Sequence, residues 1–376
     1  MRWDLLALTV LAGLVSAGVS PLMIAAGIPD APDGARKAHS RVTPTSGGLA
    51  IAAGFAAAIA ALAMWPGARW EEMLGVEIIG HLALAAALAF AAFLVGLADD
   101  VRPLGPRLKF GLIAVFSLCA GTFLAHVEFI PFFSGAVAPI WPIVGVVGSA
   151  LWMFTIINAT NFIDGANGLS MGAMGCGLAG LAAIALFNGA PDAAILALAG
   201  MGAAIGFLVW NFPRGLIFAG DAGALFIGAL AGAASLLAIE SGGVSPFIPP
   251  ILFFPILADV LLTLAWRLKR GRPLLASHRD HLFQIGLRAN LGHARISLIY
   301  WALTALCVLI GVLADRLERA APTFAEGGEA PNWAGQTLAL VASGAPFIAW
   351  GGLAAASIVI AVKVRAHARR HRLDGV

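Results

Sequence analysis

The sequence predicts an all-helical protein that crosses a membrane ten or eleven times. Of the 376 residues, 60% are hydrophobic and only 11% are charged, whereas a soluble domain carries roughly 25% charged residues. The apolar residues form continuous runs of about 20, the length that a helix needs to span a bilayer. Strands of a membrane barrel would alternate their faces over about 10 residues. The fold class is therefore a polytopic membrane protein built of helices.

Eleven apolar runs are candidate spans. The first run is long for a signal peptide and lacks a cleavage pattern, so we expect it to be retained. The runs are rich in Ala and Gly, which lets helices pack closely in lipid. We expect a single membrane-embedded domain over 1–376, with its motifs in about 30–295 and terminal spans and a basic tail in 296–376. The predicted spans are 4–27, 48–66, 76–98, 109–127, 139–157, 170–187, 191–210, 222–240, 247–267, 295–314 and 336–362.

The basic residues predict the orientation of these spans. If the odd-numbered spans end in the cytoplasm, 19 of the 23 lysines and arginines lie in cytoplasmic segments. Because positive residues are enriched on that side, we expect the N-terminus outside and the C-terminus inside the inner (plasma) membrane. The basic tail "KVRAHARRHRLDGV" then indicates an anchor near anionic lipid, and we assign it no catalytic role.

This orientation places five polar segments on the cytoplasmic face, while the external loops are short or chemically bland. The five segments are "PDGARKAHSRVTPTSGG", "ADDVRPLGPRLKF", "NATNFIDGANGLS", "NFPRGLIFAGDAGA" and "RLKRGRPLLASHRDHLFQIGLRANLGH". Candidate chemical groups are thus expected together on one side of the membrane.

Acidic residues stand at the ends of two spans. Asp99 and Asp100 close the third span, close to Lys109. Negative charge is unfavourable at a helix C-terminus, which favours a function over a merely solvated helix end. Asp221 stands at the start of the eighth span, where it can cap the helix or act as a first-turn acid. It could equally present a carboxylate and free backbone amides to a metal or phosphate.

The segment "NATNFIDGANGLS" repeats polar residues at a helical spacing. Asn158, Asn161 and Asp164 recur every three residues and would face one way at a helix end. Amides can donate to anionic oxygens, and Gly165 and Gly168 permit a tight backbone path. The alternative, an ordinary turn rich in Asn and Gly, does not explain the three-residue period.

The segment "SHRDHLFQ" combines two histidines, an arginine and an aspartate in a basic loop. The spacing of His278 and His281 matches no common zinc pattern, so attraction for phosphate is the better interpretation. Asp280 is counted among the acids of the same face. Asp259 lies inside the ninth span, where a carboxylate costs roughly 2.5–3.5 kcal/mol unless it is paired or near water. We therefore expect Asp259 to face the protein interior.

Together these groups predict a magnesium-dependent phosphoryl transferase with a lipid as its second substrate. Carboxylates hold Mg²⁺ through oxygen, and substrate phosphates complete the octahedron. We expect no nucleic-acid partner. An ion-coupled transporter also gathers acids, but it places them near the bilayer midplane between repeats, and the sequence shows neither feature.

The motifs resemble those of the polyprenyl-phosphate N-acetylhexosamine-1-phosphate transferases, the undecaprenyl-phosphate GlcNAc-1-phosphate transferase-like members of glycosyltransferase family 4. The matching stretches "RKAHSRVTPTSGG", "DDVRPLGPRLKF", "NATNFIDGANGLS", "NFPRGLIFAGDAGALFIG" and "SHRDHLFQ" occur in family order from Arg36 to Gln284.

The resemblance implies an activity and its partners. A UDP-N-acetylhexosamine would give sugar 1-phosphate to undecaprenyl phosphate or another polyprenyl phosphate, with UMP as the second product. Mg²⁺, or Mn²⁺ in its place, would be required, and the active site would be cytoplasmic. The reaction would start a cell-surface glycan, such as lipopolysaccharide or a cell-wall polymer. We also expect that the chain can form a homodimer.

The resemblance further implies roles for individual residues. Asp99 matches the acid that deprotonates or orients the lipid phosphate, and Asp100 is its partner. His281 matches a histidine expected near the diphosphate, which makes these three the expected catalytic residues. Asp221 and Asp164 are the expected metal ligands. The expected substrate-binding residues are Lys109, Asn161, Asn167, Arg279 and His39.

The sequence departs from the family pattern at two places. Asn167 stands where many members carry an aspartate associated with the nucleobase, so we expect it to affect nucleotide contact more than metal binding. Phe283 and Gln284 stand where the family often has two histidines. The phospho-MurNAc-pentapeptide branch carries consecutive histidines, so it is the less favoured alternative.

Overall fold

In a computed structural model the chain forms a bundle of long helices. The structure describes residues 2–27, 29–30, 43–64, 69–131, 137–274, 276, 278–326 and 333–371. Within these ranges ten helices are long and apolar enough to cross a membrane, which confirms the predicted fold class. The helices are α1 (Arg2–Ala26), α2 (Gly47–Met64), α3 (Arg69–Val101), α4 (Pro106–Cys119), α5 (Pro142–Ile163), α6 (Leu169–Phe187), α7 (Pro191–Asn211), α8 (Gly220–Gly242), α9 (Ile248–Leu252), α10 (Phe254–Lys269), α11 (Leu282–Arg288), α12 (His293–Glu326), α13 (Trp333–Ser343) and α14 (Ala345–Arg370).

Two short antiparallel pairs of strands lie in the connections between helices. The strand β1 (Pro29–Asp30) pairs with β2 (Thr43–Pro44), between α1 and α2. The strand β3 (Phe129–Pro131) pairs with β4 (Val137–Pro139), between α4 and α5. Neither pair contributes to the helical core.

Two predicted spans are each divided into two helices. The ninth predicted span is the pair α9 and α10, which meet at Phe253, and the eleventh is the pair α13 and α14, which meet at Gly344. Pro255 and Pro346 lie in the first turn of α10 and of α14. A proline fits the first turn because the amide it lacks would have no partner there, but it cannot continue a preceding helix. The prediction of one unbroken helix at these places was wrong.

The helix α8 is the centre of the bundle. It is buried along most of its length and packs against α2, α3, α5, α6 and α7. The Phe226 ring on α8 lies 5.4 Å from Phe55 of α2 and 5.2 Å from Phe90 of α3, measured between ring centroids. Close helix approach rests on small residues, for example where Gly206 of α7 faces the backbone of Gly13 in α1.

The helix connections lie at two ends of the bundle. At one end, here called the opposite face, Asp192 at the start of α7 contacts His81 of α3 at 2.9 Å and Ser241 of α8 at 2.8 Å. Arg319 of α12 donates to the carbonyl of Gly242 at 2.6 Å at the same end. Since α8 ends there and α12 begins at the other end, the pair α9–α10 returns the chain. Counted as one crossing, this pair brings the described ranges to eleven crossings, within the predicted number.

Candidate active site

The ends of α3, α5 and α8 meet the start of α4 at one end of the bundle, here called the site face. Lys109 of α4 connects them, because its ammonium lies 3.1 Å from a carboxylate oxygen of Asp99 and 3.3 Å from the Asn161 amide oxygen. It also forms an ion pair with Asp221. The amide of Asn161 donates to the other oxygen of Asp221 at 2.6 Å. Four of the predicted site residues are therefore in direct contact.

Asp100 holds the first turn of α8 and does not face Lys109. One of its oxygens accepts from the backbone amide of Asp221 at 2.9 Å, and the other accepts from Ala222 at 3.0 Å. A carboxylate at this place satisfies two unpaired amides and complements the positive end of the helix dipole. Asp221 is a first-turn acid, as one interpretation of the sequence had it. The amides expected to be free for a ligand are, however, bound by Asp100.

The polar residues of the α5–α6 connection divide between two directions. Asn161 and Asp164 face the site, whereas Asn158 donates to the carbonyl of Phe154 in its own helix at 2.8 Å. The prediction that all three face one way was wrong for Asn158, because its amide satisfies a backbone acceptor one turn earlier. Asp164 accepts a hydrogen bond from the Ser170 hydroxyl.

The charge of Asp164 depends on its surroundings. Loss of hydration raises the pKa of this carboxyl to about 7, against the lowering effect of the Ser170 hydroxyl, and the nearby charge of Asp221 raises it further. A cation at this place would favour the ionised form. The carboxylate is therefore suited to a site whose charge is neutralised by a metal or by lysine.

A cavity of about 850 Å³ opens beside these groups. Asp99, Asp100, Asp164 and Asp221 lie along its wall, and Asn167 and Arg279 lie on the wall as well. An anion in the cavity would thus find a basic side chain, while a cation would find carboxylate oxygens. The volume lies within the usual range for small-molecule sites.

The loop before α11 forms another part of the cavity wall. Arg279 and Gln284 line the cavity, but His281 between them is buried, with its Nδ1 atom 3.4 Å from an Asp259 oxygen. Phe283 is buried too, packed against Gly165. This burial explains how a phenylalanine is accommodated where relatives often have histidine. The predicted catalytic role of His281 stays a prediction.

Two other acids of the polar segments lie away from the cavity wall. Asp280 is buried and forms an ion pair with Arg267 of α10, so its place among the site acids was predicted wrongly. Asp259 is buried as predicted and accepts hydrogen bonds from the backbone amides of Leu282 and Phe283 at 2.7 and 3.1 Å. His39, a predicted substrate-binding residue, lies outside the described residues.

The donor set fits a magnesium ion that is completed by its substrate. In the described ranges, no three His, Cys, Asp or Glu side chains gather as a ready-made metal cage. Asp221, Asp164 and Asn161 offer hard oxygen atoms beside an open cavity. Mg²⁺ is commonly bound through one or two carboxylates together with substrate phosphates. These three residues are the ones that could hold it.

Known proteins share this arrangement of segments. The profile of glycosyl transferase family 4 matches residues 82–239. A decaprenyl-phosphate N-acetylglucosaminephosphotransferase of Mycolicibacterium smegmatis is 30% identical, over 71% of this chain and 70% of the relative. A phospho-N-acetylmuramoyl-pentapeptide-transferase of Rubrobacter xylanophilus is 31% identical, over 71% of this chain and 83% of the relative.

The chain belongs to glycosyl transferase family 4. A third relative, a probable undecaprenyl-phosphate N-acetylglucosaminyl 1-phosphate transferase of Bacillus subtilis, is 28% identical over 78% of each chain. The matched profile of this family 4 protein runs from α3 to α8 and so contains Asp99, Lys109, Asn161 and Asp221. The loop that carries Arg279 lies outside the matched range.

Sequence reasoning missed two polar residues of the family 4 cavity. Asn211 ends α7, accepts from the Gly168 amide at 2.5 Å, and donates to the carbonyl of Ile217 at 2.7 Å. His293 begins α12, and its Nδ1 accepts from the backbone amide of Asn167 at 3.2 Å. Both residues stand at the very ends of the quoted polar segments. That position at a helix end, facing the polar loops, was the signal that could have identified them.

Proposed function

We propose that the chain transfers sugar 1-phosphate from a UDP-sugar to a polyprenyl phosphate, with Mg²⁺ or Mn²⁺, and releases UMP. An N-acetylhexosamine is the favoured sugar, and the lipid-linked product would start a cell-surface glycan. One observation carries the proposal: Asp99, Lys109, Asn161 and Asp221 are in contact where four helix ends meet beside a cavity that also holds Arg279. Family membership supports the same reaction class.

The bond changes define what the site must do. An oxygen of the lipid phosphate attacks the phosphorus that carries the sugar. The bond from that phosphorus to the bridging oxygen breaks, and the bridging oxygen leaves with UMP. A phosphate monoester has a second pKa near 6, so at neutral pH the attacking oxygen needs little help from a base. Asp99 would therefore orient the lipid phosphate more than deprotonate it.

The chain's own residues would handle the charge of two anionic substrates. Lys109 offsets the charges of Asp99 and Asp221, and this keeps the two carboxylates close together. Arg279, on the cavity wall, would hold phosphate oxygens. Asp221, Asp164 and Asn161 would hold the metal ion, which when bound supplies Lewis-acid stabilisation of the diphosphate.

The orientation proposed for the site face is cytoplasmic. Nucleotide sugars would then reach the cavity from the side on which 19 of the 23 basic residues are expected. The carboxylates lie at helix ends and not midway along the spans. That position supports a surface enzyme over an ion-coupled transporter, whose acids would be near the bilayer midplane.

A second candidate is transfer of phospho-MurNAc-pentapeptide. It is kept because relatives named for that activity match at 30–31% identity, as closely as the N-acetylglucosamine enzymes. The loop "HLFQ" argues against it, because Phe283 is buried and only Gln284 faces the cavity. The two candidates differ in the donor substrate alone.

The test is transfer by purified protein in detergent. Undecaprenyl phosphate and Mg²⁺ are supplied with radiolabelled UDP-N-acetylhexosamines or UDP-MurNAc-pentapeptide, and the lipid extract is counted. We expect one labelled lipid per UMP released, from a UDP-N-acetylhexosamine, and none with EDTA. Asp221→Asn should abolish transfer, while Glu128→Gln, an exposed acid elsewhere in the chain, should not. Absence of product from every donor would refute the proposal.

A further inference from the structure

The segment from Asp280 to Phe283 is held by buried groups of α10. Asp259 accepts hydrogen bonds from the amides of Leu282 and Phe283, and Arg267 pairs with the Asp280 carboxylate. Both α10 side chains are almost inaccessible to solvent. A buried charge is tolerated where it is paired and hydrogen-bonded, so these contacts fix the backbone of the segment.

A second hold on this segment comes from the far end of the sequence. Arg365, on the last helix α14, donates from one guanidinium nitrogen to the backbone carbonyl of Asp280 at 3.1 Å and to the Thr263 hydroxyl at 2.9 Å. Its guanidinium carbon lies 4.3 Å from the centre of the Trp266 ring. The side chain is only 5% exposed. This is not the solvated, lipid-facing position expected of a basic anchor.

The residues on either side of the held segment face the cavity. Arg279 precedes it and Gln284 ends it, and both line the cavity wall. Because consecutive residues share a backbone, a fixed carbonyl at Asp280 limits where the Arg279 side chain can reach. Movement of a binding group by about 1 Å can lower rates by about 100-fold. The position of Arg279 therefore depends on the contact with Arg365.

We infer that Arg365 is a positioning residue for the transfer reaction and acts through Arg279. The inference rests on the proposed function. It makes α14 part of the active-site support, although this helix lies outside the range matched by the family 4 profile. It also changes the expectation that the C-terminal basic residues have no role beyond anchoring.

The first test compares Arg365→Gln with Arg370→Gln, a matched loss of one positive charge at an exposed position on the same helix. Removal of Arg365 should raise the KM for the nucleotide sugar about tenfold and change kcat less, since a charge-assisted hydrogen bond is lost at a distance from the reacting atoms. Arg365→Lys, which keeps the charge but reaches fewer acceptors, should fall between the two. Equal KM values for the Arg365→Gln and Arg370→Gln variants would overturn the inference.

A double-variant test separates positioning from general stability. If Arg365 acts through Arg279, then Arg365→Gln should raise KM by less than about twofold when Arg279→Gln is already present. A simple loss of stability would instead add its full effect in both backgrounds. Multiplying effects would therefore refute the inference, even if each single variant is impaired.

Hydrogen exchange provides a readout that does not need turnover. In Arg365→Gln, amides of residues 279–284 should exchange at least about tenfold faster, while those of α8 stay unchanged. Unchanged exchange in 279–284, or faster exchange throughout the protein, would overturn the inference. If the wild-type protein transfers no sugar, the proposed function fails, and the positioning of this segment by Arg365 is still decided by exchange.

Discussion

The two neighbouring acids Asp99 and Asp100 should respond differently to the same substitution. Both oxygens of Asp100 accept backbone amides at the start of α8, from Asp221 and Ala222. In Asp100→Asn the new amide group must face one of these donors. One buried donor left without a partner costs about 1–3 kcal/mol, and loss of a negative charge at a helix N-terminus costs about 0.3–1 kcal/mol. We expect a loss of about 2–4 kcal/mol in the free energy of unfolding.

Asp99→Asn should cost much less stability. One Asp99 oxygen accepts from the Leu104 amide at 2.5 Å, a contact that the asparagine oxygen can keep. The other contacts Lys109, whose ammonium remains paired with Asp221. The remaining cost is that of a partly exposed ion pair, about 1 kcal/mol or less. Transfer activity should nevertheless be lost if Asp99 orients the lipid phosphate.

Unfolding in mixed micelles, followed by circular dichroism at rising denaturant concentration, measures both variants. The assay is paired with radiolabel transfer at saturating substrate. Equal stability of Asp100→Asn and wild type, or a larger loss in Asp99→Asn, would show that the division between support and chemistry is wrong.

Three further predictions address other contacts of the site. In Gly96→Ala, a new Cβ would lie 2.5 Å from the Ala222 amide nitrogen. We expect a loss of about 1–3 kcal/mol from overpacking, whereas Gly148→Ala, with open space around it, should be neutral in the same denaturation assay. Burial lowers the pKa of His278 to about 4 from 6.5. The folded state therefore binds fewer protons, and stability falls as pH drops below 6.5. At pH 5 the loss should be about 2 kcal/mol greater in wild type than in His278→Gln, and equal losses would refute this origin. The Asn167 amide donates to the Pro213 carbonyl at 3.1 Å, which a carboxylate cannot do. Asn167→Asp should alter the KM for nucleotide sugar more than the Mg²⁺ requirement, and the reverse order would contradict the role given to Asn167.

The sequence was sufficient to predict which segments meet at the site. Runs of about 20 apolar residues and the distribution of arginine and lysine are local properties, and they placed the polar loops on one face. The resemblance named Asp99, Lys109, Asn161 and Asp221, and the structure brings these four into contact.

The sequence could not predict how each side chain in these segments is used. Asp100 and Asp221 were both expected to serve ligands, yet Asp100 is committed to backbone amides of another helix. Asp280 was grouped with the site acids, but its partner Arg267 comes from α10. Arg365 appeared to be a surface charge because 85 residues separate it from its acceptor, Asp280. Such pairings depend on helix rotation and packing, which local patterns do not specify.

The close contact between α1 and α7 has a consequence for the order of synthesis. The indole of Trp210 donates to the carbonyl of Ala17 across 193 residues of sequence, near the contact of Gly13 with Gly206. At roughly 5–20 residues per second, α1 would wait on the order of 10–40 s in the bilayer before α7 is made. Helix α2 packs on α1 and later also on α7. It can therefore cover the small-residue surface of α1 and act as its temporary partner until the ribosome delivers the permanent one.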